Sequence, residues 1–247
     1  MSKTYWSQCR LTSVFLVIAM MSFKSHSQDW QAQRDAMLEV IQASVQNSAE
    51  YTGRSRLSQK VITAMGAVPR EEFVLPAYRH QAYHNSPLPI EAGQTISQPL
   101  IVALMTDLLD LQSDDVVLEV GTGSGYQAAV LSLLVKHVYT VEIHPELAEG
   151  AAKLLERLNY HNVTVRTGDG YAGWPEHAPF DGIIVTAAPD KIPPPLLEQL
   201  KSGGKLVIPV GPEHGYQELI LIEVDNTGAF SKSAVLPVQF VPLTGSH

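Results

Sequence analysis

The sequence of 247 residues is poor in cysteine and in basic side chains, and both shortages exclude classes of protein. Cys9 is the only cysteine, so the chain can form neither an internal disulfide nor a Cys-x-x-Cys metal or redox site. The 17 Lys and Arg residues stand against 25 Asp and Glu, a formal charge of -8, which argues against a nucleic-acid partner. A hydrophobic share of 45% is enough for a packed core, so a disordered chain is excluded as well.

The first 27 residues differ in composition from the rest of the chain. They carry Lys3, Arg10 and Lys24 but no acid, and an apolar run over residues 11–23 lies between the basic residues. This pattern is similar to a secretory signal peptide, while the run is shorter than the roughly 20 residues that a membrane-spanning helix needs. We therefore treat residues 1–27 as a signal-like or dispensable leader, with a misassigned start as the alternative, and expect no stable membrane span.

Residues 28–110 are predicted to form a mainly helical part with one long loop. Apolar residues at three- and four-residue spacing predict a first helix over residues 28–56, and a second over residues 57–65 that ends before Gly66. The prolines within residues 83–94 argue against a regular strand ladder, so this segment is predicted to be a loop.

A third helix is predicted to begin close to Pro99, because proline is favoured in a first helical turn. Ser97 is the candidate N-cap of this helix, since a serine hydroxyl can accept a hydrogen bond from a free backbone N–H. The predicted buried stripe of the helix consists of Ile101, Leu104, Met105, Leu108 and Leu109.

From residue 111 onward, strand and helix patterns alternate. The predicted strands cover residues 116–120, 137–142, 163–166, 180–185, 205–209, 218–224 and 235–241, and the predicted helices cover 126–134, 145–158 and a segment that starts in the prolines 193–195. Such alternation predicts an α/β fold with a doubly wound, mainly parallel seven-stranded sheet and helices on both faces. We expect a single domain over residues 28–247, of which 111–247 is the cofactor-binding core.

Three polar or glycine-rich features follow successive predicted strands. In a doubly wound sheet, the carboxyl ends of the strands are where ligands bind. The turn 121–125 lets the backbone approach a ligand closely, Glu142 can accept hydrogen bonds from both ribose hydroxyls, and Asp169 is positioned to contact a base. Taken singly, they could be a tight connection, an acid at a helix N-terminus and a turn residue. Together they predict a nucleotide site.

The turn also indicates which nucleotide is bound. Tyr126 occupies the place of the third glycine of a dinucleotide-binding motif, and no Gly-Lys-Ser/Thr follows as in a P-loop. Glu119, two residues before Gly121, would repel a pyrophosphate but suits a ligand with a cationic end. S-adenosylmethionine carries a sulfonium and an ammonium group, so these residues favour a methyltransferase over an NAD-dependent oxidoreductase.

Longer motifs resemble one family closely, protein-L-isoaspartate O-methyltransferase. The resemblance covers residues 57–244, and the runs at 68–74 and 93–99 are more specific than the glycine turn, which many methyltransferases share. The matching runs are Val-Pro-Arg-Glu-Glu-Phe-Val at 68–74, Pro-Leu-Pro-Ile at 87–90, Gly-Gln-Thr-Ile-Ser-Gln-Pro at 93–99, the segments 118–127 and 168–170, and Phe-Asp-Gly-Ile-Ile-Val-Thr-Ala-Ala-Pro at 180–189.

The resemblance implies repair of damaged proteins. The family transfers a methyl group from S-adenosylmethionine to the free α-carboxylate of an L-isoaspartyl residue, and the ester then cyclises to a succinimide that hydrolyses partly to normal aspartate. The family fold has an altered order at its last two strands. The cofactor contacts that the resemblance implies here are Gln94, Thr95, Ile96, Ser97, Glu119, Gly121, Gly123, Gly125, Glu142, Ile143, Asp169 and Gly170.

Ser97 is the candidate catalytic residue, because the family places this hydroxyl beside the transferring methyl. We expect it to orient the substrate carboxylate and not to act as a covalent nucleophile. A departure from the family pattern is Glu91, where glycine is common. If this position needs a positive φ, Glu91 is strained by about 1 kcal/mol.

Three other functions stay open at this point. An NAD-dependent oxidoreductase needs the motif that Tyr126 breaks, and a small-molecule methyltransferase of the same fold would not need the run 94–99. A non-catalytic S-adenosylmethionine-binding module would bind the donor without methyl release. The expected partners are isoaspartyl proteins and peptides as substrates. No metal is expected, and the chain is expected to be a monomer. The cytoplasm is the expected compartment because the methyl donor is made there, with export as the alternative if residues 1–27 are cleaved.

Overall fold

The computed structural model describes residues 30–245. The predicted leader, residues 1–27, lies outside these residues, as does the start of the first predicted helix at Gln28. Within the described range, no helix combines the length and the apolar character that crossing a membrane requires.

Nine strands occur in the described residues. The first two form a small antiparallel hairpin, and the other seven form one sheet. They are β1 (Leu88–Pro89), β2 (Thr95–Ile96), β3 (Val116–Val120), β4 (His137–Glu142), β5 (Val163–Thr167), β6 (Phe180–Val185), β7 (Leu200–Val210), β8 (Gln217–Val224) and β9 (Phe230–Val238).

Helices cover both faces of the large sheet and build most of the N-terminal part. They are α1 (30–47), α2 (Ala49–Thr52), α3 (Gln59–Ala67), α4 (Pro99–Leu108), α5 (Tyr126–Ser132), α6 (Pro145–Arg157) and α7 (Pro194–Glu198). Short 3₁₀ turns lie at Arg70–Glu72, Pro76–Gln81, Glu91–Gly93, Gly170–Ala172 and Pro175–His177.

The large sheet has the order β5-β4-β3-β6-β7-β8-β9. Strands β3 to β7 pair in parallel, whereas β8 and β9 are antiparallel to their neighbours. The chain starts the sheet at β3 and later returns to its other side at β6, so the strand order reverses between β3 and β6. Such a reversal leaves a crevice beyond the carboxyl ends of the strands. The predicted doubly wound α/β fold is confirmed.

Two apolar layers lie on either side of the sheet. The larger one joins Val117 of β3 to helices α1, α3, α4 and α5, and includes Met37, Met65 and Leu104. The smaller one joins Leu118, the next residue of β3, to Phe180 and to α7. Because successive side chains of a strand point to opposite faces, one short apolar strand supplies both layers.

The second helix is displaced relative to its prediction. It covers Gln59–Ala67, so it starts two residues later than expected and contains Gly66. Gly66 is kept in the helix because α1 packs against it: a Cβ there would lie 3.3 Å from Cδ1 of Leu38. The helix does not continue past Ala67 because the next residue, Val68, takes an extended conformation before Pro69, as residues preceding proline do.

The predicted loop 83–94 was wrong in part, because it contains one strand of the hairpin. Leu88 pairs with Ile96 and Pro89 with Thr95, and Ile90 N–H donates to the Gln94 carbonyl at 2.8 Å. Proline is tolerated here because both strands of a two-stranded ladder are edge strands, in which one backbone N–H does not need a partner from the sheet.

The expected strain at Glu91 is absent, since the positive φ falls one residue later. Ala92 has φ 54° and ψ 24°, and Gly93 has φ 69°, whereas Glu91 is not among the residues with positive φ. Ala92 therefore adopts the left-handed conformation that costs a non-glycine residue about 1 kcal/mol.

Helix α4 begins at Pro99 as predicted, but Ser97 is not its N-cap. The N-cap is Gln98, whose side chain makes no capping bond. The backbone N–H of Leu100 is instead satisfied by Oδ1 of Asn85, at 3.0 Å, and Gln98 Nε2 donates to the Asn85 carbonyl at 2.9 Å. A residue 15 positions upstream thus caps the helix, which leaves the Ser97 hydroxyl available.

The last strands are longer or placed differently than predicted. Strand β9 covers Phe230–Val238, whereas residues 235–241 were predicted, and β7 begins at Leu200, before the predicted start at residue 205. The added part of β7 pairs irregularly with β6, because Phe180 pairs with Leu200 but Gly182 with Lys205. Beyond β9 the chain leaves the sheet edge and returns towards the end of β6.

Candidate active site

The backbone of the glycine turn after β3 is fixed by hydrogen bonds to β4 and to the residue that follows β6. Gly121 N–H donates to the Val141 carbonyl at 2.8 Å, and Thr186, after β6, donates from Oγ1 to the Gly121 carbonyl at 2.6 Å. Gly121 has φ 95°, and a Cβ there would collide with the Thr186 hydroxyl. Only glycine therefore fits this position of the turn.

Glu142, the last residue of β4, ties the glycine turn to the start of α6. Its Oε2 accepts a hydrogen bond from Gly123 N–H at 2.8 Å, and its Oε1 accepts one from His144 N–H at 3.0 Å. The residue is 5% exposed and lies in the wall of the crevice. Because each carboxylate oxygen can accept two hydrogen bonds, both oxygens keep one acceptor position for a ligand.

The β1–β2 hairpin forms the opposite wall of the same cleft. Residues 94–97 line the cleft. Ile90 packs the hairpin against the turn, since a Cβ built on Gly123 would lie 3.5 Å from Cδ1 of Ile90. Ser97 is half-buried, and its hydroxyl makes no hydrogen bond to another residue of the described range. Its hydroxyl is thus available to a ligand in the cleft.

A third wall comes from the C-terminal segment, which sequence reasoning missed. Ala188 N–H donates to the Val241 carbonyl at 2.8 Å, and Leu243 N–H donates to the Ala188 carbonyl at 2.9 Å, so residues 241–244 lie along the end of β6. These residues had been assigned in part to the last strand. Their low polarity gave no signal of a site.

Two of the predicted contact residues lie beside the cleft and not in its lining. Gly125, with φ 86°, is the N-cap of α5, and a Cβ built on it would lie 3.4 Å from Ala151 and Leu155 of α6. Asp169 caps the short turn after β5, accepting from Tyr171 N–H at 3.0 Å, and the chain at Gly245 passes close to its carboxylate.

Glu119 also lies outside the lining, one layer below it. The side chain of Glu119 is 0% exposed, and neither carboxylate oxygen has a hydrogen-bond partner within residues 30–245. Burial raises the pKa of Glu119 to about 8; the nearby Thr140 hydroxyl lowers it in part, and Glu142 raises it by a smaller amount. Thr140 itself bonds Thr122, which does line the cleft, at 2.6 Å.

The cleft therefore brings together most of the predicted cofactor residues. Those in its lining are Gln94, Thr95, Ile96, Ser97, Gly121, Gly123, Glu142, Ile143 and Gly170. Further lining residues, not predicted, include Tyr126, His144, Thr186, Ala187 and 241–244. Tyr126 had been noted only for breaking a dinucleotide motif, and its position right after the turn was the signal that could have placed it here.

The Rossmann-like sheet, the glycine turn with Tyr126 in the place of a third glycine, and the acid at the end of the next strand are together the features of an α/β methyltransferase. The family model for protein-L-isoaspartate(D-aspartate) O-methyltransferase matches residues 45–247. The chain belongs to this family, as its motifs predicted, and it is an S-adenosylmethionine-dependent methyltransferase.

Relatives of known name are similar over nearly the whole chain. Protein-L-isoaspartate O-methyltransferase 2 of Syntrophobacter fumaroxidans is 53% identical over 242 residues, which are 96% of this chain and 98% of the relative. Protein-L-isoaspartate O-methyltransferase 2 of Nitrosococcus oceani is 56% identical over 211 residues, covering 85% of this chain and 96% of the relative.

Solved structures agree with the fold. A protein-L-isoaspartate O-methyltransferase structure is 30% identical with a TM-score of 0.75, over 86% of this chain and 66% of that one. A Plasmodium falciparum chain described as the same kind of enzyme, in complex with S-adenosyl-L-homocysteine, is 25% identical with a TM-score of 0.65, over 76% of this chain and 91% of that one.

Proposed function

We propose that the cleft between the glycine turn and the hairpin is where this family member methylates L-isoaspartyl carboxylates with S-adenosylmethionine. The observation that carries the proposal is the pairing across the cleft. Glu142 offers open acceptor positions beside the glycine turn, and on the facing wall Ser97 offers a hydroxyl that has no hydrogen-bond partner among residues 30–245. One wall thus suits the donor, and the other suits the group that is methylated.

The residues of the sheet wall fit the nucleoside end of the donor. Glu142 would accept hydrogen bonds from the two ribose hydroxyls, and Gly121 and Gly123 let their backbone approach the ligand. Ile143 offers an apolar surface next to Glu142, and Gly170 and Asp169 stand at the end of β5, where a base would lie. Gly125 supports the turn by its close contact with α6.

Glu119 is proposed to act from behind the glycine turn. Its buried carboxyl group has no hydrogen-bond partner within the described residues and lies below the Thr122 wall, where the charge of Glu142 raises the pKa of Glu119. A positively charged group in the cleft would favour the ionised form of Glu119. Of the hairpin residues, Gln94, Thr95 and Ile96 would close over the donor, and Ser97 would stand at the methyl group.

The chemistry needs little from the protein besides alignment. The donor supplies an electrophilic methyl carbon attached to a positively charged sulfur. A carboxylate is already ionised at neutral pH, so its oxygen attacks the methyl carbon without a general base, and the carbon–sulfur bonding electrons go to sulfur. Enclosure by the three walls would hold oxygen, carbon and sulfur in line and exclude water.

Ser97 would orient the substrate carboxylate by donating a hydrogen bond to the oxygen that does not react. A Ser97→Ala enzyme is expected to lose about tenfold to a hundredfold in kcat, because misaligned reactants lose that much. Its affinity for S-adenosylhomocysteine should change less than threefold. Unchanged turnover in this variant would remove Ser97 from the site.

The direct test is transfer of radiolabelled methyl groups to an isoaspartyl peptide and to its aspartyl twin. Labelling of the isoaspartyl peptide alone supports the proposal. Labelling of small molecules but of neither peptide would favour a small-molecule methyltransferase, and donor binding without any transfer would favour a binding module.

Other features are proposals of the same kind. Residues 28–247 would form one domain, with 111–247 as its cofactor-binding core, and the chain would act as a monomer. Its formal charge of -8 argues against nucleic acid as a partner. The cytoplasm is the proposed compartment, since the methyl donor is made there.

A further inference from the structure

Arg70 stands out because it is a buried cation that has no acidic partner among the residues the structure describes. Its side chain is 0% exposed, and it is the only buried Lys or Arg among residues 30–245. None of the ion pairs of the described residues includes it, and Nη1 is buried without a hydrogen-bond partner. Burial lowers the pKa of the guanidinium below its ordinary value, partly offset by Tyr126. An unpaired buried charge is costly, so its position needs a reason.

The groups that Arg70 contacts come from three distant parts of the chain. Nε donates to the Ala82 carbonyl at 2.8 Å, and Nη2 donates to the Ser97 carbonyl at 2.8 Å. The guanidinium carbon lies 4.6 Å from the ring centre of Tyr126, within reach of a cation–π interaction. Arg70 thus joins the entrance of the hairpin, its exit and the first residue of α5.

Both ends of this link belong to the cleft. Ser97 and Tyr126 line it from opposite walls, and Tyr126 is itself held by an edge contact with Phe73, at 5.6 Å between ring centres. The hairpin ladder comprises two residue pairs, and the Ser97 hydroxyl has no partner within residues 30–245 that would orient it. The placement of Ser97 therefore depends on its backbone, which Arg70 holds.

We infer that Arg70 is a positioning residue for methyl transfer, whose guanidinium fixes the Ser97 backbone relative to the Tyr126 wall of the cleft. The inference rests on the proposed role of Ser97. Arg70 would not touch the donor or the substrate. Its loss should misplace the Ser97 hydroxyl during the reaction while the sheet wall, which binds the donor, stays in place.

The test compares Arg70→Met and Arg70→Lys with Arg34→Met as a control. Arg34 is another largely buried arginine that donates to a side chain and to a carbonyl, Tyr83 Oη and Gly66 O. Unlike Arg70 it has an acidic partner, Glu71 at 3.7 Å, and its hydrogen bonds and ring contact involve neither Ser97 nor Tyr126. For each variant, kcat and KM for an isoaspartyl peptide, the Kd of S-adenosylhomocysteine and Tm would be measured.

Arg70→Met is expected to lower kcat about tenfold to a hundredfold, with KM and the Kd changed less than threefold. Arg70→Lys, which keeps the charge and one carbonyl bond, should recover part of the loss, and it also provides a folded variant if Arg70→Met fails to fold. Arg34→Met should lower Tm and leave kcat within twofold. A fall in kcat that simply follows Tm in all three variants would overturn the inference.

Hydrogen exchange supplies a readout that does not depend on methyl transfer. Amides of residues 94–98 should exchange at least tenfold faster in Arg70→Met than in the unchanged protein, because local opening becomes easier. The same amides should be unaffected in Arg34→Met. Failure of the unchanged protein to methylate isoaspartyl peptides would refute the proposed function. The hydrogen-exchange comparison would still show whether Arg70 holds residues 94–98. Equal exchange in all variants would refute the link.

Discussion

The two main walls of the cleft are built in different ways. The sheet wall consists of the glycine turn and the ends of β4 and β6. It is held by main-chain hydrogen bonds from Gly121 N–H to Val141 and from Thr186 N–H to Val120, and by the Thr186 hydroxyl, which donates to the Gly121 carbonyl. The hairpin wall has a ladder of two residue pairs, a left-handed Ala92, and attachments made by side chains of Asn85 and Arg70. A wall fixed by a sheet is rigid, whereas one held by a few side chains can be shifted by single substitutions.

This difference separates two kinds of effect. Changes in the sheet wall should alter the affinity for the adenosyl cofactor, because that wall carries Glu142 and the glycine turn. Changes in the hairpin wall that displace Ser97 should alter kcat, because the hydroxyl of Ser97 faces the cleft. Substitutions can therefore be ranked by the wall they affect and by the contact they break.

The largest effect is expected from Gly121→Ala in the sheet wall. The new Cβ would collide with the Thr186 hydroxyl at a backbone with φ 95°. Strain of about 1–3 kcal/mol in the bound form of the turn weakens the S-adenosylhomocysteine complex by about fivefold to 150-fold. Calorimetric titration measures this loss.

Gly53→Ala is the matched control for that substitution. Gly53 also has a positive φ, 66°, but it has open space around its Cα and lies at the end of α2. This variant should lose about 1 kcal/mol of stability and keep the affinity of the original. Equal affinity in both variants would show that the turn does not shape the site.

An intermediate effect is expected from Glu119→Gln, behind the sheet wall. Burial raises the pKa of Glu119 to about 8, so the folded protein keeps a proton that the unfolded chain loses above the ordinary pKa of the group. The free energy of unfolding should therefore fall as pH rises from about 5 to 8, by up to about 1.4 kcal/mol per pH unit from this group.

Removing the carboxyl group should flatten that dependence. Urea unfolding of the original and of Glu119→Gln at several pH values between 5 and 8 measures the two slopes. If the free energies of unfolding of the two proteins changed with pH in parallel, Glu119 would be ionised in the folded protein, which contradicts its complete burial.

The smallest effect is expected from Ala92→Gly in the hairpin wall. Glycine adopts the left-handed conformation of Ala92 without strain, so Tm should rise by roughly 1–3 °C, while kcat stays within twofold. The reciprocal substitution Gly93→Ala, at φ 69° with open space around it, should lower Tm by a similar amount. Thermal unfolding of both variants tests the pair, and shifts of the same sign would contradict it.

The two walls also differ in how far the sequence predicts them. Strands β3, β4 and β6 begin and end where their apolar, β-branched runs do, because burial on both faces leaves little choice of residue. The glycine turn and Glu142 follow from those strand ends. The hairpin wall was harder, since Asn85 caps α4 from 15 residues away and Arg70 bonds a carbonyl 27 residues away. Such contacts leave no local pattern, and neither does the segment 241–244.

Titration of S-adenosylhomocysteine into the purified protein tests the central claim most directly, namely that this cleft is an adenosyl-cofactor site. The account predicts saturable binding at one site per chain, and much weaker binding to Glu142→Gln, which lacks one of the two acceptor oxygens. Because binding heat can vanish at a single temperature, the titration would be run at two. The absence of a saturable signal at both temperatures, or equal affinity in Glu142→Gln, would contradict the account.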